Sequence, residues 1–134
     1  MVEERDMTTS VNCLQMCPNN VLVVGLGNGF FSGWNLNTNQ LDSMQVHQSA
    51  ISALTLKGSF LISGDSNGEI VVKDASSFAD LLRTPPAQGN RQDCKSPVVS
   101  LALLQQGLAQ PIVVGGHLNG IVTLLSVVND PQTG

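Results

Sequence analysis

Apolar residues in this chain fall in short runs separated by glycine and small polar residues. VLVVGLGNGFFSGWNL from Val21, FLISGDSNGEIVVKDA from Phe60 and IVVGGHLNGIVTLLSV from Ile112 share one pattern: an apolar run, a Gly-x-x-Asn-Gly core and a second apolar run. Asn-Gly between two such runs predicts a tight hairpin, because both central residues of a type I′ turn need positive φ, which Asn tolerates and Gly prefers. Turns are therefore expected at Asn28-Gly29, Asn67-Gly68 and Asn119-Gly120. Ahead of each hairpin stand VNCLQM from Val11, ISALTL from Ile51 and VVSLALL from Val98, which align as first strands. Their third position is small (Cys13, Ala53, Ser100) and their fourth is leucine (Leu14, Leu54, Leu101), which implies a regular packing site.

The first two Asn-Gly pairs lie 39 residues apart and the second two 52 apart. The surplus falls on RTPPAQGNRQDCKSP, Arg83 to Pro97, whose Pro, Gly and polar content reads as a loop. LDSMQV from Leu41 and FADLL from Phe78 supply fourth strands, the latter with a short helical turn as its alternative. β-Branched residues, glycines and period-two stretches with turn signals between them make the class all-β. Antiparallel four-stranded units are expected, and another meander or sandwich of hairpins is the rival.

On these residues the chain resembles the WD-repeat (WD40-like) β-propeller family. His47 stands where that family carries a histidine before the first strand, and LISGDSNG matches its second strand and turn. Its Trp-Asp site is taken by Trp34-Asn35, Lys73-Asp74 and Leu125-Ser126. The resemblance implies about three blades: a polar segment 1–10, blade one over 11–46, blade two over 47–82, an inter-blade loop over 83–97, and blade three over 98–134 without its outer strand. It also implies buried bracing by Trp34, His47 and Ser63, with Asn67 beside the latter two. Three blades do not close a ring, which takes roughly four to eight. The expectation is a piece of a longer propeller, or two copies sharing one ring.

Composition removes other classes. Six Lys and Arg against ten Asp and Glu, net charge −4, leave no basic footprint for nucleic acid. No run approaches the roughly 18 apolar residues of a membrane span, and the N-terminal ten residues, rich in acids, lack the apolar core of a secretory signal. Three cysteines fit free thiols and a cytoplasmic, or nuclear, location. Cys13 and Cys17 share a strand face, but no further pair completes a zinc site; Cys94 falls in the loop.

Candidate chemistry is sparse. His117 reads as an exposed turn residue. Asp42, Asp65, Asp74, Asp80, Asp93 and Asp130 are scattered over turns and strand ends without the pairing that acid–base catalysis needs, and Glu69 reads as solvated. GLGNGFFSG, Gly25 to Gly33, lacks the helix that turns such a loop into a phosphate site. No catalytic residue, cofactor or metal is expected. The expected role is a non-catalytic scaffold for proteins or peptides, joined to other blades of the same or another chain, with a homo-oligomer among the options. A ligand-binding or hydrolytic propeller completed by further subunits is the alternative. Arg83, Pro85, Pro86, Arg91, Asp93 and Lys95 concentrate charge in the long loop and form the candidate partner surface, against a solvated linker as the plainer reading.

Overall fold

The computed structural model describes residues 4–84, 96–104 and 110–127. They form three antiparallel sheets. The first is β1 (Val11–Cys17), β2 (Val21–Leu26), β3 (Phe30–Asn35) and β4 (Leu41–Gln45), in that spatial order. The second repeats it with β5 (Ile51–Lys57), β6 (Phe60–Asp65), β7 (Ile70–Asp74) and β8 (Asp80–Arg83). The third holds β9 (Val98–Leu104), β10 (Ile112–His117) and β11 (Val122–Ser126). The segment from Phe78 is thus a strand and not a helical turn, but it begins later: Phe78 and Ala79 belong to the preceding turn, where the Phe78 amide donates to Asp74 O at 2.8 Å.

Each Asn-Gly hairpin turns, though not as type I′. Gly29, Gly68 and Gly120 have φ of 88°, 86° and 93°, whereas Asn28, Asn67 and Asn119 are absent from the residues with positive φ. The turn glycine donates to the carbonyl three residues back: Gly68 N to Asp65 O at 3.2 Å, Gly120 N to His117 O at 3.0 Å. This is a type I turn closed by a left-handed glycine, which leaves one residue more in the loop. The Asn side chain serves the turn instead, Asn28 Oδ1 accepting from Phe30 N and Asn119 Oδ1 from Ile121 N, each at 3.1 Å.

Repetition extends to the long-range hydrogen bonds. Gly27 N to Ser10 O, Ser66 N to Ala50 O and Leu118 N to Pro97 O, each at 2.9 Å, tie every central hairpin to the residue before its first strand. Leu36 N to Asn20 O, Ala75 N to Ser59 O and Val127 N to Pro111 O, also at 2.9 Å, tie the other end.

The sheets stack face to face, with β1 against β5 and β5 against β9. Period-two alternation divides the middle sheet between two cores. Leu61 and Val71 join Val23 and Phe31 of the first sheet, while Ile62, Ile70 and Val72 join Val113 of the third. Each such side chain, fully buried, contributes about 1.5–3 kcal/mol. Close stacking requires glycine at one recurring place. A Cβ on Gly25 would lie 2.9 Å from Ile51 Cγ2 of the next sheet, and one on Gly64 would lie 2.5 Å from Val98 Cβ of the sheet after.

Candidate functional site

The densest polar cluster lies inside the second sheet. His47 precedes β5, Ser63 sits on β6 and Asp65 ends it; their exposures are 0%, 1% and 1%. His47 Nδ1 meets Asp65 Oδ2 and Nε2 meets Ser63 Oγ, both at 2.8 Å. A carboxylate only accepts, so a proton sits on Nδ1, while the Ser63 hydroxyl, which can donate or accept, completes the bond at Nε2. The other Asp65 oxygen accepts from Asn67 N at 2.9 Å and Glu69 N at 3.0 Å. One carboxylate thereby holds both the hairpin turn and the histidine. The partner of His47 and Ser63 is accordingly Asp65; Asn67 is exposed and joins the network through its backbone amide. Sequence reasoning set Asp65 among the scattered turn acids, although its place at the hairpin's first corner was the available signal.

This connectivity is that of a Ser-His-Asp triad, but the accessibility is not. A nucleophile must reach its substrate, and the Ser63 hydroxyl is enclosed on all sides. Burial makes the three residues a brace. Glu69 Oε1 stands 3.8 Å from His47 Nδ1, so His47, Asp65 and Glu69 bring three ligand-type atoms within 4.8 Å. Each is already engaged: the Nδ1 proton points to Asp65, and Glu69 Oε1 is ion-paired with Arg83. A cation there would displace both a proton and a guanidinium, so this donor set suits a salt-bridged corner better than a metal centre.

Arg83, expected in the loop, lies on β8, where its guanidinium also donates to Val46 O at 2.8 Å. Pro85, Pro86, Arg91, Asp93 and Lys95 fall outside the described residues, as does Cys94. Trp34 sits half-buried on β3, with Nε1 donating to Asn39 Oδ1 at 2.9 Å and Arg5 5.6 Å above its ring. It braces the β3–β4 turn and has no contact with the histidine network. That turn is repeated as well: Asn35 Oδ1 accepts from Asn37 N and Thr38 N, and Asp74 Oδ1 from Ser76 N and Ser77 N. The Ser77 and Ser76 amides hold the Asp74 carboxyl below its usual pKa. On β7, Lys73 bonds to Asp80 and to Phe78 O at 3.3 Å, and this Lys73 contact lowers the Asp80 pKa.

His117 is buried, 5% exposed, where an exposed turn residue was expected. It ends β10 at the position of Asp65, bonding Ser96 O through Nδ1 at 3.0 Å and Thr123 Oγ1 through Nε2 at 2.8 Å. The missed signal is the repeat frame itself, which puts His117 immediately after the core glycine Gly116, as Asp65 follows Gly64. Cys13 and Cys17 are free, and burial pushes both thiols up to about 11, which leaves them protonated and unreactive at neutral pH. Among the described residues no helix is long and apolar enough to cross a membrane.

No model of a known protein family and no curated protein matches the chain. Solved structures do. The computationally designed Ika8 protein is 30% identical over 87% of this chain, with a TM-score of 0.67. A chain of the mitotic checkpoint complex is 25% identical over 92%, at 0.64, and the RRP9 WD40 repeats are 20% identical over 90%, at 0.63. This chain spans 33%, 36% and 40% of their respective lengths. With its repeated hairpins, its interlocked sheets and these likenesses, the chain is built of WD40-like β-propeller blades.

Proposed function

We propose that the chain acts without catalysis, as the blade-bearing part of a protein-interaction scaffold, and that further blades cover its two outer faces. The observation that carries this reading is the apolar face of the third sheet. Val114, Val122 and Leu124 occupy the positions that Ile62, Ile70 and Val72 hold in the second sheet. The latter three are sealed beneath the third sheet at 0% exposure, whereas Val122 and Leu124 stand 64% and 66% exposed. At the other end Leu14 and Met16, 57% and 44% exposed, match Leu54 and Leu56, which pack against the first sheet. Contiguous apolar faces of this kind mark sites of macromolecular contact.

Enclosure of the only Ser-His-Asp arrangement among the described residues supports a non-catalytic role. The likeness to a chain of a checkpoint complex supports protein partners. The covering blades can belong to the same polypeptide, to a second copy or to another protein. Purification from the native source followed by mass spectrometry, with light scattering on the isolated chain, tests this. Expected are co-purifying proteins, and association of the isolated chain that Leu124→Lys weakens. A stable, cooperative monomer with both faces bare and no co-purifying protein would sink the proposal.

A further inference from the structure

The cleft between the first two blades contrasts with the one between the second and third along one row of residues that crosses the strands. In the second blade, Ile62, Val72 and Leu82 stand side by side across β6, β7 and β8 and fill the gap toward the third. In the first blade the same row reads Val23, Gly33 and Asp42. Glycine and aspartate replace a Val–Leu pair. A Cβ on Gly33 would meet only Val21 Cγ1 at 3.6 Å and Asp42 O at 4.0 Å, so the space above it is open. There a cavity of about 220 Å³ forms, walled by Val21, Val23, Phe31, Met44 and, from the second blade, Phe78. Both of its walls belong to blades present here.

Three features state what fits. The walls are largely apolar, with Asn35 and Ser43 among them, and include two aromatic rings, which favour an aliphatic stem or a flat group and attract a cation over their faces. Asp42 is the only charged residue between Gly29 and Val46, is exposed at the mouth, and its carboxylate makes no hydrogen bond or ion pair among the described residues. Finally, β4 is the outermost strand of its sheet, and among the described residues nothing pairs with its outer edge. An extended peptide laid along that edge would point alternate side chains into the cleft.

We propose that this cleft binds a basic side chain, arginine or lysine, of a peptide lying beside β4. The stem packs on Val21, Val23 and Met44, the head reaches the Asp42 carboxylate, and the rings of Phe31 and Phe78 flank it. The proposal rests on the scaffold reading and supplies the chemistry of one contact.

The test uses the full chain, methyl-labelled, titrated with a blocked peptide of one arginine flanked by alanines. Its neutral citrulline counterpart and free butylguanidine are titrated alongside. Saturable shifts are expected at Val21, Val23 and Met44, with the arginine peptide binding about tenfold tighter than either control. Asp42→Asn should bring the arginine peptide down to the citrulline level without changing the unfolding midpoint. Gly33→Val, which fills the cavity, should abolish binding of both. No saturation at millimolar peptide, equal binding of arginine and citrulline, or an unaltered preference in Asp42→Asn would overturn the proposal. Butylguanidine binding as tightly as the peptide would overturn the peptide as occupant and point to a small-molecule cation site. Failure here leaves the co-purification result untouched, and failure of that experiment leaves this titration readable.

Discussion

Where the second blade encloses His47, Ser63 and Asp65, the first carries Met7, Val24 and Leu26 at the matching positions. Val24 and Leu26 are as buried as the polar residues they replace, at 1% and 3% exposure, and Met7 is half-buried. The backbone around the two corners is the same: one turn, one left-handed glycine, one amide tied to the residue before the first strand. The third blade gives another answer, with His117 reaching Thr123. The fold at this corner thus asks for a filled volume and satisfied donors, and any side chains meeting both conditions serve. A polar network binds more tightly to its own design, because each member depends on the others.

The largest expected effect attacks that dependence. Asp65→Leu alone strands His47 and two turn amides and should cost about 3 kcal/mol or more, read from urea unfolding. Changing His47→Met and Ser63→Val in the same chain copies the first blade and should recover a large part of the loss, with Asn67 free to take the Glu69 amide as Asn28 takes that of Phe30. A triple variant no more stable than the single one would show that the corners are not interchangeable. Second, Gly64→Ala drives a methyl into Val98 and should cost about 2 kcal/mol as overpacking. Third, Gly33→Ala, at the position where the first blade is hollow, should raise stability by roughly 0.5–1 kcal/mol, since the site has room and no positive φ to forbid it.

The smallest effect concerns acid. Lys73 lowers the Asp80 pKa, so its contribution is present above pH 3.8, the carboxyl's ordinary value, and lost as pH falls through the lower folded value. Because Asp80 is 53% exposed, solvent screening leaves roughly 0.5 kcal/mol. Asp80→Asn should flatten the acid limb of the stability profile by that amount, while the first blade, with Trp34 in place of Lys73, contributes nothing comparable.

The hairpins could be read from sequence because turn chemistry is local: Asn28-Gly29 and its two counterparts signal a reversal whatever lies around them. The turn type was not legible. The same dipeptide serves a type I′ turn and a type I turn closed by glycine, and the choice belongs to the strands on either side. The network escaped for a related reason. Asp65 and His117 follow a turn-core glycine, where polar residues are usually solvated, and only the stacking of neighbouring sheets buries them. Phe78 was ambiguous between strand and helix because it is neither. It sits at φ 60°, a left-handed conformation that costs a bulky residue about 1–2 kcal/mol and is held by the packing of its ring between blades.

The interlock of Gly25 with Ile51, and of Gly64 with Val98, has a direction. Each blade offers a recess on one side and a branched side chain on the other, so the blades here join front to back. Such heterologous contacts carry no count of their own: the same joint yields a closed ring where successive rotations return to the start, and an unending filament where they do not. Among the described residues no further sheet meets Val11, 50% exposed, on the branched side or Gly116 on the recessed side. Blade number must therefore be fixed by the angle between neighbours, which makes the residues of the inter-blade wedge, Gly33 and Phe78 among them, arbiters of whether assembly terminates.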